Sequence, residues 1–147
     1  MSFKATTTAI QNDFAVKWTR SEVILYENMP ISTNPAELNT AWGRLSIREA
    51  AARQVSYGSA ANKPVWRYTG RIILQLFQRA GTGTATIEDM GDFLRPLYRR
   101  FAINDTSAGL IRNAPAEAPR FLLVGERNGW MQANFEIPYI RDLHELG

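Results

Sequence analysis

VWRYTGRIILQLFQR, residues 65–79, is the stretch whose period decides the fold. Trp66, Tyr68, Ile72, Leu74 and Leu76 fall on one parity. Arg67, Thr69, Arg71, Gln75 and Arg79 take the other, together with Ile73 and Phe77. Side chains alternate across a strand, so this spacing predicts a long central strand with an apolar face and a mixed one, bent at Gly70. The mixed face is suited to solvent at one end and to another subunit at the other.

Working outward, the apolar run of the strand exits into AGTGTATIEDM, residues 80–90, small residues and then acids. Some strand-to-helix turns hold a phosphate in this layout. A phosphate loop, however, needs a Lys and a hydroxyl behind its glycines, and this segment has no Lys and sets acids at the helix start, where they repel an anion. The dinucleotide-binding turn fails as well, because Ile87 and its neighbours stand where a third Gly is required. The loop therefore predicts a flexible turn and a cap, with Thr86 and Asp89 as a short-armed capping box. Ile87, Met90, Leu94, Leu97 and Phe101 then recur at helical steps, with Glu88, Asp89 and Asp92 before Arg95, Arg99 and Arg100, the order a helix dipole favours. Pro96 deletes one internal hydrogen bond and predicts a kink near Asp92 or a break.

On the N-terminal side, Ile10, Phe14 and Trp18 form one stripe of an opening helix that ends near Arg20. VILYENMP, residues 23–30, reads as a short strand, and residues 31–40 as a loop with a helical turn after Pro35. Residues 41–59 are ambiguous: their alternation favours two strands joined near Glu49 and Ala50, and their helix formers keep a helix open. SAANKP, residues 59–64, is a loop.

At the other end, Asn128-Gly129 has the positive-φ preference of a type I′ hairpin turn. Pairing outward from it sets Val124 and Leu122 beside Ala133 and Phe135, on the face of Met131 and Ile137. Pro138 is expected at a strand end or edge, where a missing N–H is tolerated.

The totals fit one domain, residues 1–147, with 45% hydrophobic and 21% charged residues, no Cys and a net charge of +3. The N-terminus lacks a long apolar run after Lys4, and nowhere do about 20 apolar residues follow one another, so neither a secretory signal nor a membrane span is expected. The absence of Cys fits assembly in a reducing cytosol. Between residues 44 and 79, seven basic residues face only Glu49. That imbalance suits a solvated or subunit-facing sheet surface, or else a nucleic-acid-binding face that uses the Arg-rich sheet.

Little catalytic material is present. His144 is the only histidine, in an expected C-terminal tail, which leaves no partners for a metal cluster or a Ser/His/Asp arrangement. Glu88, Asp89 and Asp92 read as a charged helical turn rather than a metal site. No cofactor, no metal and no enzymatic activity are expected. Trp18 and Trp66 lie on apolar stripes, whereas Trp42 and Trp130 are open between core packing and stacking or anchoring at an interface.

Taken in order, the aromatic first helix, YENMP at 26–30, ARQVSYG at 52–58, GRIILQLFQRAGTG at 70–83, the following helix and NGWMQANFEIPY at 128–139 resemble the bacteriophage tail terminator-like family of small virion proteins, over nearly the whole chain. Departures are Arg79-Ala80, where the family often has Pro before its GTG loop, and Pro96 within the helix. The resemblance implies an α+β fold, a twisted, mainly antiparallel sheet packed with two principal helices. It also implies a homo-oligomeric ring, commonly a hexamer, at the head-proximal end of the tail tube in the virion, assembled in the host cytoplasm. Such a ring stops tube polymerisation and docks to the head connector or completion protein, with genomic DNA only passing through its lumen; another head–tail joining role is the neighbouring alternative. Arg67, Arg71, Arg79 and Trp130 are the candidate subunit or partner interface residues, chosen by face, charge and aromatic character.

Overall fold

Residues 65–79 form one strand, at the middle of the sheet. In a computed structural model, which describes residues 3–27, 40–56, 65–115 and 117–144, the elements in chain order are α1 (Phe3–Lys17), β1 (Val23–Tyr26), β2 (Trp42–Ser56), β3 (Val65–Arg79), α2 (Ala85–Tyr98), β4 (Ala102–Asp105), β5 (Gly109–Asn113), β6 (Arg120–Arg127) and β7 (Trp130–His144). The strand order is β1-β2-β3-β7-β5-β4, with β6 also beside β7, and only the β1–β2 pair is parallel. The fold is α+β, a mainly antiparallel sheet packed with two helices. None of the described helices is long and apolar enough to cross a membrane.

The alternation of β3 decides where the core lies. Tyr68, Ile72, Leu74 and Leu76 are buried on one face, as are their β7 neighbours Ala133, Phe135, Ile137 and Tyr139. Both helices cover this inner face, α1 through Ile10 and Phe14, α2 through Ile87, Met90, Leu94 and Tyr98. Trp18 lies just past the end of α1, stacks on Phe14 at 5.6 Å and donates its indole N–H to Glu22 O at 3.0 Å. The β3–β7 ladder runs unbroken from Val65↔His144 to Arg79↔Trp130. Gly70 leaves this ladder intact, while on the β2 side the register shifts between its partner Glu49 and Ala51; a Cβ there would stand 2.6 Å from the Tyr139 ring, so its absence makes room for that ring.

Six local expectations are corrected. Residues 42–56 form neither two strands nor a helix but one strand against the whole of β3, and Ala50 is passed over between Glu49 and Ala51 as a bulge. Pairing with a central strand absorbs the extra residue at lower cost than a turn would. Second, α2 is capped at Thr84 rather than Thr86: the Thr84 hydroxyl contacts the Glu88 carboxylate, and the Ile87 N–H donates to Gln78 Oε1 of β3 at 3.2 Å. Third, α2 does not break at Pro96 but runs on to Tyr98, since the proline sits in the last turn, where the buried stripe still holds the helix to the sheet. Phe101 lies beyond the helix yet is buried edge-on to Tyr98.

The fourth correction is the hairpin register. Asn128 and Gly129 do adopt positive φ, 52° and 82°. A bulge at Val124, though, pairs Leu123 with Ala133 and Phe121 with Phe135. Phe121, not Leu122, turns inward, where its ring lies against Gly91 of α2, and Leu122, Leu123 and Val124 are 47%, 52% and 53% exposed. Fifth, Pro138 sits within central β7. Its carbonyl accepts from the Ala114 N–H, so its nitrogen faces the same side, the seam where β6 has ended and β5 has only begun to pair. No ladder bond is lost there. His144 likewise is the last residue of β7, paired with Val65, rather than part of a tail. The helical turn expected after Pro35 and the loop expected at 59–64 fall outside the described residues.

Candidate functional site

Directly paired residues of neighbouring strands share a face, so the register gives the composition of the outer face, opposite the helices. It carries Arg44, Arg48 and Arg53 from β2, Arg67, Arg71 and Arg79 from β3, Arg112 from β5, and Arg120 and Arg127 from β6. Against these nine guanidiniums the strands set two carboxylates, Glu136 and Asp142 of β7. Two rows place arginine opposite arginine, Arg48↔Arg71 and Arg53↔Arg67. Such like-charged pairs are unfavourable in a sheet unless counter-charge is close.

The counter-charge is shared. Asp142 accepts from Arg67 Nε at 2.8 Å and from Arg112 Nη2 at 3.2 Å. Glu136 accepts from Arg71 Nη1 at 2.8 Å and from Arg120 Nη2 at 3.3 Å. Arg48 grips Glu27 through both Nη atoms at 2.7 Å. Burial pushes the Asp142 carboxyl up, but the Arg67 and Arg112 hydrogen bonds outweigh it and hold the group below its ordinary range. The carboxylates lie deep, with Glu136 and Asp142 about 15% exposed, while the Arg48, Arg71 and Arg120 side chains are about half exposed. The acids thus form a floor and the cations an outward layer. Among the described residues no carboxylate forms a salt bridge with Arg44, Arg53 or Arg127, although Arg44 lies near enough to Glu27 for its charge to favour that carboxylate.

At the hairpin end of this face Trp42 stacks on Phe77 at 4.2 Å and meets Trp130 edge-on at 5.9 Å, and the Arg79 guanidinium lies over the Trp130 ring at 4.3 Å. Trp42 is buried and Trp130 half-buried. All four nominated residues therefore lie on one face, but each already has a partner within the chain: Asp142 for Arg67, Glu136 for Arg71, and Arg79 and Trp130 for one another. Sequence reasoning did not nominate Arg112, Arg120 or Arg127, and it counted Arg44, Arg48 and Arg53 only as part of a basic run. Strand parity was the available signal, and the two bulges reverse it: the skip at Ala50 brings Arg53 to the side of Arg48, and the skip at Val124 brings Arg120 to the side of Arg127.

The Gly/Thr loop is internally committed. Gln78 donates to Thr82 Oγ1 at 3.1 Å while its carbonyl oxygen holds the Ile87 N–H, and Thr82 Oγ1 donates to Arg79 O at 2.6 Å. A helix N-terminus that binds an anion needs such N–H groups free. Among the described residues no group of three or more His, Cys, Asp or Glu is placed to hold a metal ion.

No protein-family model and no curated protein matches the chain. A solved protein structure is similar to it with a TM-score of 0.71, covering 99% of this chain and 99% of its own, at 16% sequence identity. At that identity the likeness is one of fold.

Proposed function

We propose that this chain is a non-enzymatic virion protein, a tail terminator that forms a homo-oligomeric ring, a hexamer, at the head-proximal end of a phage tail tube, ends tube growth and docks to the head connector. The observation that carries the reading is the free edge of β6. Among the described residues this strand pairs only with β7, and Leu122, Leu123 and Val124 lie exposed along it in succession. An open edge with apolar side chains is a template for a further strand. The contact it offers is directional, and head-to-tail contacts between two different patches close into a ring when the rotation allows. The family-like segments support the same reading, since they fall in order on α1, β2, β3, α2 and the β6–β7 hairpin, apart from residues 28–30 and 57–58, which lie outside the described residues.

The test is assembly. Light scattering on the purified chain, alone and with tube protein, is expected to give a closed oligomer, and electron microscopy of particles a ring at the upper end of the tail. Leu122→Asp with Val124→Asp is expected to leave a folded monomer that forms no ring, and loss of the gene to give tails of irregular length. A chain located at the distal tip, or absent from particles with normal tails, overturns the proposal.

A further inference from the structure

The arginines of the outer face continue beyond what their internal partners use. We infer that this face binds the phosphate backbone of double-stranded nucleic acid, without regard to base sequence. The inference is independent of the ring proposal and stands or falls on its own test.

Three observations carry it. The first is arrangement. Arg67 and Arg79 lie twelve residues apart on β3, a span of about 40 Å at the rise of an extended strand. Arg71 and the β2 arginines fill the interval. Positive charge distributed along such a length matches a regular polyanion, whose duplex turn is about 34 Å, better than a single acidic side-chain cluster. The second is spare capacity. Arg71 and Arg120 each give one N–H nitrogen to the same Glu136 carboxylate and are about half exposed, so most of their five donors face solvent. The third is that the like-charged pairs Arg48↔Arg71 and Arg53↔Arg67 are set side by side, where a sheet optimised only for stability would alternate charge.

A cleft of about 250 Å³ opens between Arg48 and Arg71, walled by Pro138, Ile140 and Ala114, which gives one phosphate a recess. Glu117 also lines it and opposes an anion, so its removal is expected to strengthen binding. The aromatic cluster argues for backbone rather than base recognition. Trp42 is buried, and Trp130 already carries Arg79 on its ring, so neither offers the open platform on which bases stack. Nor, among the described residues, does any helix lie on this face to enter a groove.

The experiment is fluorescence anisotropy of the full chain with two labelled duplexes of unrelated sequence. Both are expected to bind equally, with affinity falling about 100-fold between about 50 and 200 mM salt, as for roughly four neutralised phosphates. Arg48→Gln, Arg53→Gln and Arg71→Gln together are expected to weaken binding at least about tenfold and to reduce the salt slope by about 3. The same loss of charge on the helix side, Arg95→Gln, Arg99→Gln and Arg100→Gln, leaves affinity within about twofold. Circular dichroism melting checks that both triple variants fold. No binding at 50 mM salt overturns the inference. So does an equal effect of the two triple variants, or tighter binding of polyglutamate than of duplex, which assigns the face to an acidic protein instead.

Discussion

Two arginines on opposite faces of the same sheet show how position changes what one side chain does. Arg141, on the inner face, is fully buried: it donates through Nε and Nη2 to the two oxygens of Glu49 at 2.9 Å, through Nη1 to Ala108 O at 2.9 Å, and lies over the Tyr68 ring at 4.0 Å. Arg71, one strand away on the outer face, is half exposed and shares its single carboxylate with Arg120. The inner guanidinium has its hydrogen-bonding capacity turned into structure. It ties β7 to Glu49, the last residue of β2 before the bulge, and to the turn before β5. The outer one keeps most of its capacity for a partner. A buried charge tolerates no unmet valence, whereas water satisfies an exposed one at little cost.

The contrast is broken most severely by Arg141→Ala, which leaves the Glu49 carboxylate buried beside an empty site. A loss of about 3–5 kcal/mol is expected in urea denaturation, and a loss under 1 kcal/mol would mean that the inner pair is ordinary. Gly70→Ala follows. Its methyl group would press on the Tyr139 ring and on Arg48 O, both 2.6 Å away, for a cost of about 1–3 kcal/mol by the same measurement. Since Tyr139 hydroxyl donates to Glu49 at 3.4 Å, this variant also loosens the buried pair from its other side.

Asp142 sharpens the comparison through pH. Its folded-state pKa is depressed, so the stability it contributes is present above the unfolded value, about 3.9, and is lost as pH falls through the folded one. Asp142→Asn is expected to lower the melting temperature at neutral pH and to flatten its decline below about pH 4. An unchanged acid limb would mean that the outer-face carboxylates are not coupled to folding. The smallest effect is expected of Arg48→Gln with Arg71→Gln, which removes a like-charged pair together with two exposed ion pairs; stability should stay within about 0.5 kcal/mol of the parent. A larger loss would make the outer ladder structural, like Arg141.

Much of the scaffold is legible along the chain. The alternation at 65–79 identifies the central strand and both of its faces, the stripe Ile10–Phe14 identifies the first helix, and Asn128-Gly129 identifies the last turn, because each signal is local and repeats within a few residues. A break at Pro96 and a cap at Thr86 are both absent for a shared reason. Pro96 is carried by a buried stripe packed on the sheet, and the helix N-terminus is satisfied by Gln78, a side chain from the preceding strand that no helix-start pattern includes.

What the amino-acid order determined by itself is which segments carry an apolar face: apolar periodicity is a property of neighbours in the chain, and it sufficed for an α+β domain with an opening helix, a central strand at 65–79 and a closing hairpin. Which arginines share a surface was decided only by the tertiary structure. The bulges at Ala50 and Val124 arise where β2 and β6 must stay in step with their neighbours β3 and β7, and each adds one residue that reverses parity from there on. That single-residue offset turns Phe121 into the core, leaves Leu122 outside, and assembles Arg53 and Arg120 into the cationic face. No local pattern encodes it, because the register is a relation between strands and not a property of either one.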